Sequence, residues 1–578
     1  VTLVALPLLA IALQGPTYKE AWTFEQAARS SAGDKIFDAT STKARVIEGL
    51  HDLDAVLAYT RRPEIEALEV DGHVQAFVLQ RNDVYNDMAA GYARLKDVAD
   101  VLRCVQELRR NLDRGTPETV ALAHGLGATY AKGIKANGFV RPLLPNAGIE
   151  AELRALRFLD PGLRFESYPY DTSDKANLTE SDRVAGLSYL WSEAKYNFAN
   201  FDLTRELDWN EAYAAFLPRV KKAKDRYAYY NDLREFMALL RDGHTDVALP
   251  PTLRLQKEVG AGIRTALVEG KVVVVGVAPT VLAQGVTKGD VVETIEGAPA
   301  VAYGNDRWRR RVSSSTPQDR DVRVYTYMFW RGPEGSTVRV GLRKADGALK
   351  NLFLKRSAKL AFSARPPYEF RILADGTAYF AFNTCENDVP IEGFEKSLEA
   401  IRGAGRLVID VRENGGGNSG VGYAILSHLI DAEVKTTTWE TPQYRAAFRA
   451  WRRGQEPYQG ESDTIAPAKE RFGGSVVVLT GPRTFSAAED FAVACKTSKR
   501  VTLLGEATGG STGQPLSLEL PGGGFARICA KRDRYPDGTE FVGRGVVPDV
   551  EVSSTLAAVR RGGDVQLEKA LGIIQGKR

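Results

Sequence analysis

Val408-Ile409-Asp410-Val411-Arg412-Glu413-Asn414-Gly415-Gly416-Gly417-Asn418 is an apolar, β-branched run that stops at three glycines. Short apolar runs of this kind, bounded by turn residues, read as strands buried inside a layered sheet. The flanking segments keep strands and helices in alternation. Strands are expected near Thr377 to Phe382, from Arg406 to Val411, from Ser475 to Leu479 and from Val501 to Leu504. Helices are expected near Phe394 to Arg402, near Val421 to Ile430 and from Ala487 to Cys495. This alternation predicts an α/β core over 359–555, a sheet layered against helices, with a helical tail over 556–578.

Upstream the pattern changes. Between about 252 and 357 the strands are short. Lys271-Val272-Val273-Val274-Val275 is one, and Ser336 to Arg343 alternates as another. Gly285-Val286-Thr287-Lys288-Gly289-Asp290-Val291-Val292-Glu293-Thr294-Ile295-Glu296-Gly297 runs turn, alternation, turn,. It resembles the l-x-x-G-D-x-I-x-x-I-x-G segment of PDZ domains, so 251–358 is expected to be a PDZ-like module. Any small β-barrel with a Gly-Asp turn is the plainer alternative. A PDZ-like module would take a peptide by strand addition, its backbone amides receiving the terminal carboxylate. Residues 176–250 read as a helical cap that stops at Arg241-Asp242-Gly243-His244-Thr245, with Gly243 as the stop signal,. Residues 15–175 read as helical and carry no motif with chemistry in it. Val1 to Leu13 is almost wholly apolar and contains Ala10-Ile11-Ala12, an A-x-A pattern. That predicts a signal segment over 1–14 and a periplasmic or secreted protein.

The 578 residues suggest about three to five domains,. Hydrophobic residues at 44% and charged residues at 26% are those of globular cores,. Lys and Arg number 77 against 73 Asp and Glu, and this balance argues against a dedicated nucleic-acid binder,. The four cysteines form no C-x-x-C pair, and five histidines leave little room for a His-built metal site,. No metal or organic cofactor is implied. No apolar run approaches the ~20 residues of a membrane span.

Thr484-Phe485-Ser486-Ala487-Ala488-Glu489-Asp490 carries the chemistry. It places Ser486 after a buried strand and at the start of a helix, where free N–H groups favour developing negative charge. Ser486 is then a candidate nucleophile. The same letters also spell a capping box, with Ser486 as N-cap and Glu489 reaching back. The glycines at 415–417 allow a backbone to approach a substrate. An oxyanion hole needs two N–H donors, and Gly415 or Gly416 together with Ala487 could supply them. The loop has no following Lys-Ser/Thr, so it is not a P-loop. A serine needs a base. Of His51, His73, His124, His244 and His428, the first three sit in the region without motifs and His428 reads as core, while His244 lies in a Gly-containing loop after a helix, where a solvated histidine is the plainer reading.

In their order along the chain these segments resemble the C-terminal processing (tail-specific) serine proteases, over roughly 180 to 555. The matching residues are Asp242-Gly243-His244-Thr245, the PDZ-like segment, Asp410-x-Arg412-x-Asn414-Gly415-Gly416 and Thr484-Phe485-Ser486-Ala487-Ala488-Glu489. They end with Gly505-Glu506-x-Thr508-Gly509 and Gly543-x-Gly545-Val546-Val547-Pro548-Asp549. The resemblance implies an α+β multidomain protein with a ClpP/crotonase-like core. It also implies a serine endopeptidase acting on a peptide or unfolded protein substrate held by its C-terminus. One branch of the family uses a lysine base, and Ser511 stands where that lysine would be. The other branch, tricorn-like, uses a histidine, which His244 matches, and adds a glutamate, for which Glu540 stands at the corresponding place. In that branch a serine precedes the histidine, and here the position is Gly243. Thr245, Ser511 or a water then remain to orient the imidazole. Two alternatives share the scaffold: a peptide-binding protein without catalysis, and an ester or lactam hydrolase. The absence of Gly-x-Ser-x-Gly around Ser486 argues against the α/β-hydrolase fold.

Overall fold

The computed structural model describes residues 18–38, 40–66, 76–114, 146–149, 151–152, 155, 168 and 170–576. The expected signal segment 1–14, His73 and His124 lie outside these residues. The chain divides into two compact units, 1–168 and 169–578.

The first unit is helical. Tyr18–Phe37, Lys43–Thr60, Ala76–Leu95 and Val98–Arg114 are its long helices. They pack Val46, Leu50, Leu53, Val84, Met88 and Val105 into one apolar core. Thr42 caps the second helix by accepting from the Arg45 N–H,. Arg29 is partly buried in this unit among the carboxylates of Glu25, Asp83 and Asp87 at 3.5, 3.0 and 3.1 Å.

The second unit is built on a six-stranded sheet in the order 550–551, 502–505, 475–480, 406–410, 378–382, 368–372. All neighbouring pairs are parallel except the edge pair Tyr368–Ile372 with Ala378–Phe382. The expected strand at Val408 is central. Leu407, Val408 and Ile409 are fully buried, each stabilising the fold by about 1.5–3 kcal/mol. Helices Val389–Ala404, Ser419–Ser427 and Ala487–Ser498 cover one face. Val565–Ile574 covers the other. In an open parallel sheet, sites form beyond the carboxyl ends of the strands. Arg406–Asp410 and Ser475–Thr480 are parallel neighbours with Asp410 opposite Leu479. Their exit loops, the glycine run and the Ser486 turn, therefore meet. Asp410 and Arg412 hold this end of the sheet. Arg412 binds Asp410 and reaches Asp564 of the C-terminal segment at 2.7 Å.

Residues 263–355 form a six-stranded antiparallel sheet in the order 263–268, 271–277, 291–295, 337–343, 349–355, with the short strand Ala298–Pro299 pairing with 291–295 off that path. Trp308 and Tyr325 close its core from the helices Ala300–Trp308 and Val322–Met328. Asp290 of the Gly-Asp turn accepts from the N–H and hydroxyl of Thr287 and pairs with Lys344 at 2.6 Å.

The helical lead-in differs from the sequence expectation at its end. Its helices are Glu180–Asn197, Trp209–Lys221 and Arg226–Ala238. The last one stops before Gly243, and the left-handed residue is Arg241 at φ 48°. Asp246–Ala248 is a strand, pairing antiparallel with Phe525–Cys529. That pairing, closed by the Asp246–Arg527 ion pair at 2.7 Å, brings the His244 loop onto the core.

Candidate active site

Ser486 has φ 57° and ψ −129°. A non-glycine residue there costs about 1–3 kcal/mol and persists only when its surroundings hold it. They do. The Thr484 hydroxyl donates to Val411 O at 2.9 Å and the Phe485 N–H to Asn414 O at 3.0 Å. These bonds fasten the turn to the glycine loop. Ser486 N–H donates to Ser511 O at 3.2 Å and to Glu489 Oε2 at 3.3 Å. Glu489 thus makes the reach-back half of the capping box. The Glu489 N–H goes to the carbonyl of Ser486 at 2.7 Å, which leaves the hydroxyl free for another partner.

That partner is His244, whose Nε2 lies 2.9 Å from Ser486 Oγ. Its Nδ1 lies 2.8 Å from Ser511 Oγ. The ring stacks on Phe485 with centroids 4.8 Å apart. Asp242 shapes the loop, accepting from the His244 N–H, the Thr245 hydroxyl and Asn200 at 2.9, 2.9 and 3.0 Å. Burial pushes the Asp242 carboxyl up to about 6. Burial also pushes the His244 pKa down to about 3, with the cations Arg527 and Arg323 acting the same way,. The imidazole is therefore neutral near pH 7.

Gly243 is small for a reason the sequence does not carry. A Cβ there would lie 2.8 Å from the Phe485 ring, 2.9 Å from Ser511 Cβ and 3.0 Å from Asp319. A serine at this place has no room. Ser511 occupies the space and makes the bond to Nδ1. Thr245, the other side chain considered for that task, instead donates to Asp242 and accepts from the Cys529 N–H at 3.0 Å.

Glu489 is fully buried and accepts four donors. These are the Thr508 hydroxyl at 2.5 Å and the N–H groups of Gly510, Ser511 and Ser486 at 2.7, 2.9 and 3.3 Å. Burial pushes its carboxyl up to about 7 and these hydrogen bonds pull it down. With donors on every side, the carboxylate is the form that fits. Sequence reasoning saw Glu489 only as half of a cap. Its part in holding the Ser511 loop comes from residues 19 to 22 positions downstream. Glu489→Gln sets an amide N–H against backbone N–H donors. We expect it to cost about 3 kcal/mol of stability, read as a lower thermal midpoint, and to lower kcat with it.

The glycine loop is used unevenly. The Gly416 N–H donates to Asn414 Oδ1 at 2.9 Å. It is therefore engaged, contrary to its expected part as a free donor. The N–H groups of Gly415 and Ala487 have no hydrogen-bond partner among the described residues. Gly416 instead supplies closeness, since a Cβ on it would lie 2.6 Å from Ser486 Cβ.

Glu540 does not join this group. Its carboxylate goes to Arg534 at 2.7 Å and Arg532 at 3.1 Å, and it bonds neither His244 nor Ser486. Among the other histidines, His51 is exposed in the helical unit. His428 is partly buried, with Nδ1 at 2.6 Å from Glu470 O. Among the described residues no cluster of His, Cys, Asp and Glu is arranged to hold a metal. No helix among them is long and apolar enough to cross a membrane.

Residues 377–552 match the family model described as peptidase family S41. The chain is a serine peptidase, similar to that family over these residues. The chloroplastic C-terminal processing peptidase of Tetradesmus obliquus is 26% identical over 346 residues, 57% of this chain and 70% of that protein. The carboxyl-terminal-processing protease of Picosynechococcus is 25% identical over 416 residues, 70% of this chain and 90% of the relative. In fold, mature CPAF complexed with lactacystin superposes with a TM-score of 0.55 at 14% identity. That match covers 69% of this chain and 98% of the other. The S41 match spans the glycine loop, Ser486, Glu489 and Ser511. His244 and the 263–355 sheet lie N-terminal to it.

Proposed function

We propose that the chain is a tail-specific endopeptidase in which Ser486 attacks the scissile carbonyl and His244 accepts its proton. The reading rests above all on one observation: Ser486 Oγ and His244 Nε2 are 2.9 Å apart across 242 residues of sequence. Nε2 can accept only if Nδ1 carries the ring proton. Nδ1–H then donates to Ser511 Oγ, which selects the tautomer in the way a carboxylate does in other triads. The base is thus a histidine, as in the tricorn-like branch, with Ser511 in place of the serine–glutamate link. The tetrahedral oxyanion takes the N–H groups of Gly415 and Ala487. His244⁺ then protonates the leaving amine, and a water repeats the sequence on the acyl-enzyme.

The 251–358 segment acts as a PDZ-like module in this reading, beside a ClpP/crotonase-like core over 359–555. Gly260, Ala261 and Gly262 precede its first strand, and their N–H groups have no partner among the described residues. They suit a chain-terminal carboxylate. Gly260 and Gly262 border a cavity of about 440 Å³ that also touches Tyr327 and Arg483, and Arg483 is three residues before Ser486. A peptide held by its end there is directed toward the serine. The helical 176–250 segment is the cap that carries His244, and 15–175 is a separate helical unit. The leader-like start, Val1 to Leu13, supports a periplasmic or secreted site of action.

Digestion of an unfolded protein at neutral pH, with mass mapping of the cuts, tests the reading. Cuts that cease when the substrate's C-terminal carboxylate is amidated support it. Uncut substrate contradicts it. Ser511→Ala removes the partner of Nδ1 and leaves the substrate contacts in place. It should lower kcat about 10–100-fold with little change in KM, measured by steady-state peptide hydrolysis.

A further inference from the structure

Behind the His244 loop, on the side of Ser313–Pro317, lies a cavity of about 980 Å³. Arg241, Arg309, Arg310 and Arg320 line it, and Asp306 is its one carboxylate. The arginines come from three places: the loop after Arg226–Ala238, the turn Arg309–Arg311, and the helix Pro317–Asp321. Arg241 is paired with Glu206 at a site open to water, where such pairs are weak, and Arg320 with the adjacent Asp321 at a partly buried one. Arg309 and Arg310 are exposed, and their side chains have no ion-pair or hydrogen-bond partner among the described residues.

We propose that this cavity binds an acidic segment of a polypeptide, a short run of Asp or Glu carboxylates in an extended substrate chain. The proposal builds on the reading that the substrate is a polypeptide. Guanidinium forks pair with carboxylates in two-point geometry. The lining has no aromatic side chain, so it offers no surface for stacking a nucleobase. Its volume and its spread of cations over three chain segments exceed what one small anion fills. Ser314, Ser315 and Thr316 add hydroxyls along the wall.

The wall is also the support of the candidate active site. Ser315 Oγ accepts from the Gly243 N–H at 2.8 Å, Ser313 Oγ donates to Asp242 O at 2.8 Å, and Thr316 Oγ1 donates to Gly509 O at 2.8 Å. A chain docked here lies against the loops that carry His244 and Ser511. Acidic substrates then gain both local concentration and contact with the catalytic loops.

The test is fluorescence anisotropy of labelled hexaglutamate on the full chain carrying Ser486→Ala, so that the probe stays whole and the result does not depend on which residue does the chemistry. Hexaglutamate should bind, weaken as salt rises, and bind at least about tenfold more weakly after Arg309→Glu with Arg310→Glu. The neutral pair Arg309→Gln with Arg310→Gln should fall between, and guards against misfolding of the charge-reversed chain. Hexaglutamine should not bind. Unchanged affinity in both double variants overturns the proposal. So does binding of tripolyphosphate where hexaglutamate fails, which would mark the cavity as a phosphate site.

Discussion

Ser486→Ala is expected to lower kcat for peptide hydrolysis by about 10⁵–10⁶-fold, an increase of about 7–8 kcal/mol in the barrier. Everything the chain brings together at this point acts through one oxygen. In the proposed mechanism the Gly415 and Ala487 donors stabilise charge only after that oxygen has attacked, and no acyl-enzyme forms for water to hydrolyse without it. The fold should hardly notice. Ser486 Oγ has no partner but His244, so the variant should unfold within about 1 kcal/mol of the parent. A variant that keeps a tenth of the activity would move the nucleophile elsewhere.

His244→Ala should cost about 10⁵-fold in kcat, and adding it to Ser486→Ala should cost nothing further, because the two act as a unit. This change also empties a buried ring site beside Phe485, so it should lower stability by about 3 kcal/mol. His244→Gln separates the two effects by keeping more of the volume. The neutral state of the ring has its own signature. Its pKa is depressed from 6.5 to about 3 in the fold. Neutral His244 therefore adds stability that is complete above the unfolded value of 6.5 and lost as pH falls toward 3. Histidine-selective NMR at pH 5 should find His244 unprotonated, where an exposed histidine would be more than about nine-tenths protonated.

Much of this arrangement was legible in the chain. The central strands are β-branched runs with glycine or proline at their ends, and the strand at 406–410 lies within a residue of its expected bounds. Ser486 and His244 stood out because each sits in a short motif. What the letters do not carry is convergence. Ser511 reads as a place where a lysine is missing. Its bond to His244 depends on a hairpin, Pro515–Glu519 with Phe525–Cys529, pairing with Asp246–Ala248. Glu540 reads as a partner for histidine because of its position in sequence. Two arginines, Arg532 and Arg534, reach it first, and charge pairing of that kind is invisible to motif spacing. Motif spacing offers Gly416 as a free donor, yet its N–H goes to the side chain of Asn414, two residues back. The helix ends at Ala238, before the glycine signal, because Arg241 and not a glycine takes the left-handed turn.

The most direct measurement is labelling with a fluorophosphonate probe, followed by mass mapping of the modified residue. The account predicts one adduct, on Ser486, formed rapidly by the parent chain and slowed by at least about 10³-fold in His244→Gln. A parent chain that takes no label at Ser486, or a His244→Gln chain that labels as fast as the parent, contradicts it.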